Sequence, residues 1–347
     1  MNKLLIIGAF DFNQGPINGA KVKIREVADQ LQFFPNISVS TIDTSINPIK
    51  VFQLLCSIWK GFRDADHIII MPGYNGLRLL IHFYIYWKNK YKVKVHYIVL
   101  GGWLPDYVRR NTYTSNLLHN LDGIYVETNF IKKPLELLGF NNVHKMPNFR
   151  NISNLSVPES RKVDTAIKLV FISRVDKAKG ICTAIRAVES VNSECKKTQF
   201  KLHIYGPIRD EFEIEFSNLL RKTGDDTKYL GVLSRGSEQV VEVMMNYDFL
   251  IFPTYYSGEG FAGVIIEAFS AGLPVIASDW RSNPELITHL ETGLIFETES
   301  LESLTSTLKY IAENNSIIPQ MRKKCIKEAD KYSTTQVIKQ FLRDINL

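Results

Sequence analysis

Glu259 and Glu267 form a Glu-x7-Glu pair in the run Phe249-Leu250-Ile251-Phe252-Pro253-Thr254, then Gly258-Glu259-Gly260-Phe261-Ala262-Gly263-Val264-Ile265-Ile266-Glu267-Ala268. A carboxylate accepts hydrogen bonds without donating and can take two hydroxyl hydrogens, so each glutamate suits a sugar diol. The local pattern is a buried strand ending at Pro253, a glycine-rich turn and a helix opening near Phe261. Free amides at such a helix start suit a phosphate. Glu259 lies just before them, and Glu267 about one and a half turns inside the helix. The plainer alternative makes Glu259 a helix cap and Glu267 an ordinary surface residue. Val264-Ile265-Ile266-Glu267-Ala268-Phe269 is too apolar for a solvent face, which favours a functional Glu267.

A second loop supplies the opposite charge. The strand-like Lys168-Leu169-Val170-Phe171-Ile172-Ser173 leads into Arg174-Val175-Asp176-Lys177-Ala178-Lys179-Gly180. Arg174 and Lys179 therefore flank a strand-to-helix turn, where two cations beside helix amides suit a pyrophosphate and the charge that develops as it leaves. Near the start of the chain, Asn13-Gln14-Gly15-Pro16-Ile17-Asn18-Gly19-Ala20 is another glycine-rich loop between a strand and a helix, open to close approach by a ligand. Asp64-Ala65-Asp66 is formally an Asp-x-Asp metal element, but it precedes a strand and has Arg63 beside it, which reads as a solvated helix end.

These loops need elements to position them. Short β-branched runs alternate with amphipathic segments, the pattern of an α/β chain with parallel sheets covered by helices on both faces. Strands are expected near 4–9, 37–42, 67–72, 93–100, 123–127 and 143–146, and again near 168–173, 200–205, 228–230, 249–253, 274–278 and 293–296. In the first helix Ala20, Ile24, Val27, Ala28 and Leu31 form a buried stripe, with Lys21, Lys23 and Arg25 falling outside it. With 347 residues the chain predicts about two domains. The poorly periodic stretch from Pro147 to Lys168 divides residues 1–160 from 161–331, with a last helix over about 332–347 packing back on the first domain.

These residues resemble the retaining glycosyltransferases of the glycosyl transferases group 1 family, also called family 4, which have the two-domain GT-B architecture. The resemblance is carried by Ser173-Arg174-Val175 to Lys179-Gly180, Ile204-Tyr205-Gly206-Pro207, Tyr229-Leu230-Gly231, Glu259 to Glu267, and Ala271-Gly272-Leu273-Pro274-Val275-Ile276-Ala277. It implies two Rossmann-like doubly wound domains facing a central cleft, with a nucleotide sugar on the second. Arg174 and Lys179 match the family's diphosphate cations, Glu267 the ribose carboxylate and Glu259 the residue facing the donor sugar. The catalytic set so implied is Glu259, Arg174 and Lys179. Phe261, Ala262 and Gly263 would offer backbone amides, and Gly206 and the stretch from Gly231 to Leu233 would meet the rest of the nucleotide. The acceptor side would comprise Gly15, Asn18 and Gly19, with Gly102 and Trp103 after the fourth strand. Attack from the face of the departing diphosphate, with the phosphate taking the proton, is the mechanism the resemblance implies; no metal or other cofactor is expected. Many members carry a histidine after the fourth strand, whereas this chain reads Val99-Leu100-Gly101-Gly102-Trp103. His96 lies earlier, in an apolar run, and reads as a satisfied core residue. No catalytic histidine is assigned.

Charge is uneven. Residues 1–150 hold 18 Lys/Arg against 10 Asp/Glu, whereas the remainder holds 24 against 26. The lysines Lys88, Lys90, Lys92 and Lys94 follow the apolar and aromatic Leu79 to Trp87, which suits an anionic membrane surface or, equally, a core helix with a solvated end. Leu77 to Trp87 is too short to span a bilayer, and the apolar start of the chain reads as a buried strand rather than a leader. No nucleic-acid motif accompanies the basic residues. Four scattered cysteines give no zinc spacing and no disulfide framework, which points to a reducing, cytoplasmic setting, peripheral at a membrane's inner face if the basic surface binds lipid. The expectation is transfer of a hexose-type sugar to a hydroxyl acceptor, a glycan or lipid-linked glycan of polysaccharide or cell-surface synthesis. The rivals are a nucleotide-sugar epimerase or hydrolase on the same fold, and a non-catalytic sugar-nucleotide-binding subunit.

Overall fold

The computed structural model describes residues 1–11, 19–45, 51–152, 166–195, 199–233 and 237–347. The elements run β1 (Asn2–Gly8), α1 (Gly19–Leu31), β2 (Ile37–Asp43), α2 (Val51–Asp64), β3 (His67–Met71), α3 (Tyr74–Tyr91), β4 (Lys94–Ile98), α4 (Leu104–Arg110), α5 (Thr112–Leu118), β5 (Gly123–Val126), α6 (Asn129–Leu137) and β6 (Val143–Lys145). They continue with β7 (Ile167–Ile172), α7 (Ile181–Cys195), β8 (Phe200–Tyr205), α8 (Glu213–Leu220), β9 (Thr227–Tyr229), α9 (Ser237–Met244), β10 (Phe249–Phe252), α10 (Gly263–Ser270), β11 (Val275–Ser278), α11 (Asn283–Leu286), β12 (Gly293–Phe296), α12 (Leu301–Glu313), α13 (Ile318–Ala329) and α14 (Thr334–Asp344). Every strand expected from the β-branched runs is present, its ends within two residues of the expected ones. The reason is burial: β3 and β10 are buried at every position, as strands covered on both faces must be.

The chain divides into one unit of Met1–Phe149 with Thr334–Leu347 and a second of Arg150–Ser333. The division falls at Phe149, before the boundary at 160 that loop composition suggested. Composition marks where periodicity fades, whereas Arg150 already bonds Tyr332 and Glu267 of the second unit. Most of the suggested linker, residues 153–165, lies outside the described residues.

The first unit is a parallel sheet in the order β2-β1-β3-β4-β5-β6. One face packs on α2 and α3 through Ile58, Phe62, Leu77 and Tyr84. The other packs on α1 and α14 through Ile24, Val27, Ile338 and Phe341. The second unit is a parallel sheet in the order β12-β11-β10-β7-β8-β9, covered by α7 and α12 on one face and by α9, α10 and α13 on the other. Both sheets are doubly wound, and each reverses direction at one point: between β1 and β3 in the first unit, between β7 and β10 in the second. In such sheets ligands bind beyond the carboxyl ends of the strands at the reversal.

Two local readings need correction. Lys23 does not stay outside the buried stripe of α1; it is buried and pairs with buried Glu127 at 2.7 Å, because a second side of this helix also meets protein. Arg25 likewise turns inward and donates to the Phe10 carbonyl at 2.8 Å. His96 is only half satisfied: Nε2 faces His67 Nδ1 at 3.2 Å, while its Nδ1 has no hydrogen-bond partner among the described residues. Burial pushes the His96 imidazole down to about 3, so the ring is neutral. The Asp64-Ala65-Asp66 element closes α2, with Asp64 paired to Arg63 and Asp66 accepting the Lys3 amide at 2.8 Å. No helix among the described residues is long and apolar enough to cross a membrane.

Candidate functional site

The loops after β7 and β10 meet at the reversal point of the second sheet, because those two strands are neighbours. Glycine makes the meeting possible. Gly180 has φ +74, and a Cβ there would stand 1.9 Å from the Pro253 carbonyl oxygen, so the two loop backbones approach closely only without a side chain. Gly206, after β8, has φ +138, and a Cβ would fall 1.8 Å from the Ser173 carbonyl oxygen. Loop packing by itself thus requires glycine at Gly206, the residue that the family resemblance set against the nucleotide.

Lys179 and Glu259 come together. Lys179 Nζ lies 2.5 Å from Glu259 Oε2, and Thr254 Oγ1 donates to that same oxygen at 3.1 Å. Among the described residues nothing bonds the other oxygen, Oε1. The Lys179 ammonium also stands 4.9 Å from the Tyr256 ring centre, and the Arg174 guanidinium 5.5 Å from it. Both cations thus stand within about 6 Å of the Tyr256 ring centre, the range in which the electron-rich ring attracts positive charge. Arg174 is anchored from below by Asp176 at 3.2 Å, and Asp176 also takes Arg209 at 3.0 Å and the Ala178 amide at 3.0 Å. Burial by itself raises the Asp176 carboxyl, but the Ala178 amide and the two guanidinium groups outweigh it and leave the group below its ordinary value. Arg174 stays 43% exposed, which leaves its outer nitrogens available to a ligand.

Glu267 is organised the same way by different residues. Arg150 Nε donates to Glu267 Oε1 at 3.0 Å and Ser237 Oγ donates to that oxygen at 2.8 Å. Nothing among the described residues bonds Oε2. The helix begins at Gly263, two residues later than Phe261, so Glu267 sits about one turn inside it. Its N-cap is Ala262, without a side-chain cap bond, so Glu259 is not the capping residue. Phe261 is buried and packs edge-on against Tyr332 at 5.0 Å. Gly263 has a steric role that spacing does not reveal: a Cβ there would lie 1.7 Å from Arg150 Nη2. Gly231, at φ +87, accepts from the Gly206 amide at 2.9 Å, and Leu233 is half-buried nearby in the chain.

The sequence reading named Arg174, Lys179, Glu259 and Glu267 but missed Arg150, Ser237, Thr254, Asp176, Arg209 and Tyr256. Thr254 and Asp176 lie in the runs already singled out, and Tyr256 falls between Thr254 and Gly258, so these three carry a local signal. Arg150 and Ser237 carry none, since each reaches Glu267 from a distant part of the chain.

In the first unit, Gly15 and Asn18 lie outside the described residues. Gly19 opens α1 with open space where a Cβ would project, so sterics do not demand glycine there. Gly102 is buried, and Trp103 directs its ring nitrogen to the Leu100 carbonyl at 2.9 Å while packing edge-on against Tyr74 and Tyr107. Beyond the carboxyl ends of β1 and β3 lies a mostly apolar cavity of about 380 Å³ lined by Gly8, Thr44, Leu55, Gly73, Leu79 and Tyr84 among others. Beside it α3 buries Leu77, Leu80, Ile81, Tyr84 and Ile85 yet exposes Leu79, Phe83 and Tyr86, and α2 exposes Phe52 and Trp59. Among the described residues no three His, Cys, Asp or Glu side chains gather as a metal site would.

Two doubly wound parallel units of this kind define the GT-B class of α/β proteins. A family model described as glycosyl transferases group 1 matches residues 132–332, more than half of the chain, and the chain belongs to that family. It is 24% identical over 275 residues to the poly(glycerol-phosphate) alpha-glucosyltransferase of Bacillus subtilis strain 168, over 77% of this chain and 37% of that protein. It is 25% identical over 115 residues to the N,N'-diacetylbacillosaminyl-diphospho-undecaprenol alpha-1,3-N-acetylgalactosaminyltransferase of Campylobacter jejuni, over 33% of this chain and 29% of that protein. The chain thus spans well under half the length of these relatives. The solved structure of Anabaena Alr3699/HepE in complex with UDP and glucose matches with a TM-score of 0.75 at 14% identity, covering all of both chains, a likeness of fold.

Proposed function

We propose that the chain is a retaining glycosyltransferase that moves a hexose-type sugar from a nucleotide-diphosphate sugar to a hydroxyl acceptor. The observation that carries the reading is the pair of half-occupied carboxylates: Glu259, paired with Lys179 where the loops after β7 and β10 meet at the reversal point of the second sheet, with Arg174 by the same Tyr256 ring, and Glu267 one turn into the helix that follows β10. Each glutamate keeps one acceptor oxygen for a diol, and the cations suit the diphosphate between them. In the proposed step the bond from the anomeric carbon to the diphosphate oxygen breaks and a bond to the acceptor oxygen forms on the same face. The acceptor's proton passes to the departing phosphate. Arg174, Lys179 and the amides at the start of α10 meet the developing charge, and the proposal includes no metal or other cofactor. For Lys179 to serve the diphosphate it exchanges part of its contact with Glu259, which frees that carboxylate to grip the donor sugar.

The acceptor is proposed to be a glycan or lipid-linked glycan in polysaccharide or cell-surface synthesis. The names of the two relatives above support a glycan-building role, and the exposed aromatic residues of α2 and α3 beside the basic residues support an anionic membrane surface. Incubation of the purified chain with a panel of nucleotide sugars and membrane extract tests the reading. Transfer is expected, and Glu267→Ala and Lys179→Ala should each lower it about a hundredfold or more while circular dichroism is unchanged. Wild-type turnover in both variants would sink the assignment, and free sugar or an epimerised nucleotide as the sole product would move it to a hydrolase or epimerase.

A further inference from the structure

Glu267 is a carboxylate whose two oxygens have different surroundings. Oε1 receives both Arg150 Nε and Ser237 Oγ, whereas no described residue bonds Oε2. Two donors on one oxygen fix the rotation of the group, so the direction in which Oε2 offers its lone pairs is set before any ligand arrives. Arg150 is suited to this: its side chain is 6% exposed, and it arrives from just after β6, with its guanidinium lying over Gly263 at the first turn of α10. A carboxylate with only 12% of its side chain exposed would be costly to keep charged without such a partner. The arrangement around Glu259 is built likewise, with a cation and a hydroxyl on one oxygen, so the pattern occurs both in the loop before α10 and in its first turns.

We propose that Arg150, with Ser237, is the positioning residue that makes Glu267 a reader of the ribose diol, so that this pair determines discrimination between ribonucleotides and 2′-deoxyribonucleotides. The inference rests on the nucleotide-sugar reading above and adds residues to it. Arg150 touches no donor; it acts through Glu267. Gly263 belongs to the same device, because a methyl group there would displace the guanidinium from its place.

The test is calorimetric binding of UDP, GDP and ADP, each against its 2′-deoxy counterpart, to the full chain and its variants. The wild type should bind its preferred ribonucleotide about tenfold or more tighter than the deoxy form, as expected for one hydrogen bond to a charged group. In Arg150→Met the ratio should fall to within about threefold while deoxynucleotide affinity changes little, since diphosphate contacts are common to both ligands. Ser237→Ala, a milder change on the surface of α9, should reduce the ratio part way and covers the case in which Arg150→Met does not fold. Gly263→Ala should lose discrimination in the wild-type background and add little in Arg150→Met, a non-additive pair. An undiminished ratio in Arg150→Met or, where that variant does not fold, in Ser237→Ala overturns the proposal and leaves the donor reading standing. A wild type without preference for ribose overturns it as well. If no nucleoside diphosphate binds the wild type, the donor reading falls first and the proposal with it.

Discussion

Gly180 illustrates how one residue lets two loops meet. Its φ of +74 is the left-handed region, and the space a side chain would need is occupied by the Pro253 carbonyl. Gly180→Ala therefore carries both a backbone penalty of about 1–3 kcal/mol and a clash with backbone that cannot move aside cheaply. It also shifts Lys179 relative to Thr254 and Glu259, so nucleotide-diphosphate affinity should fall together with stability. Gly139 is the internal control, with φ +87 and open space around the missing Cβ. Gly139→Ala should lose only the backbone part, a difference that chemical denaturation of the two variants measures. The four charged residues named from spacing were legible because their loop chemistry is local. Arg150 was not legible as a partner of Glu267, because no spacing rule links two residues 117 positions apart.

At the scale of elements, β3 and β4 place His67 and His96 against one another with rings nearly parallel and centroids 5.4 Å apart. Both imidazoles are pushed below the ordinary value, chiefly by burial, with Lys94 also opposing charge on each and Asp122 favouring it. His144 also acts to lower His96. A folded His96 titrating at about 3 stays neutral where the unfolded chain, at an ordinary histidine value of about 6.5, takes up a proton. The stabilising effect of the neutral ring is thus full above about pH 6.5 and is lost progressively as pH falls toward 3. His96→Phe keeps a stacked ring without the titration, so the loss of stability between pH 7 and pH 5 should be smaller than in the wild type. Equal slopes in denaturant titrations at the two pH values would refute this. Strand positions were readable from β-branched runs, but the facing of two histidines depends on the register of β3 with β4, which pairs His67 with Lys94 and Ile69 with His96.

For the molecule as a whole, the excess of basic residues in the first half finds a partial structural use. Lys23 and Arg25 are turned inward, and Lys88 pairs with Asp122 at 3.2 Å. The cations that remain at the surface of α2 and α3 include Lys60 and Lys90, the latter beside the exposed ring of Tyr86 at 5.9 Å. If this surface meets anionic lipid, the full chain should bind vesicles containing phosphatidylserine and lose binding as salt rises. Lys60→Glu and Lys90→Glu should each weaken binding by about fivefold or more, since one basic residue near such a surface contributes ~1 kcal/mol. Binding indifferent to salt and to both changes, measured by vesicle sedimentation, would dismiss the surface. The sequence alone determined the number and place of the strands, the doubling of the α/β pattern and the candidate charged residues Arg174, Lys179, Glu259 and Glu267, because hydrophobic periodicity and turn chemistry are properties of neighbours along the chain. Tertiary structure alone decided that β7 and β10 lie side by side, that Lys23 is buried, and which distant donors saturate one oxygen of each glutamate. Those facts depend on strand order and on contacts between segments far apart in the chain, which no local pattern encodes.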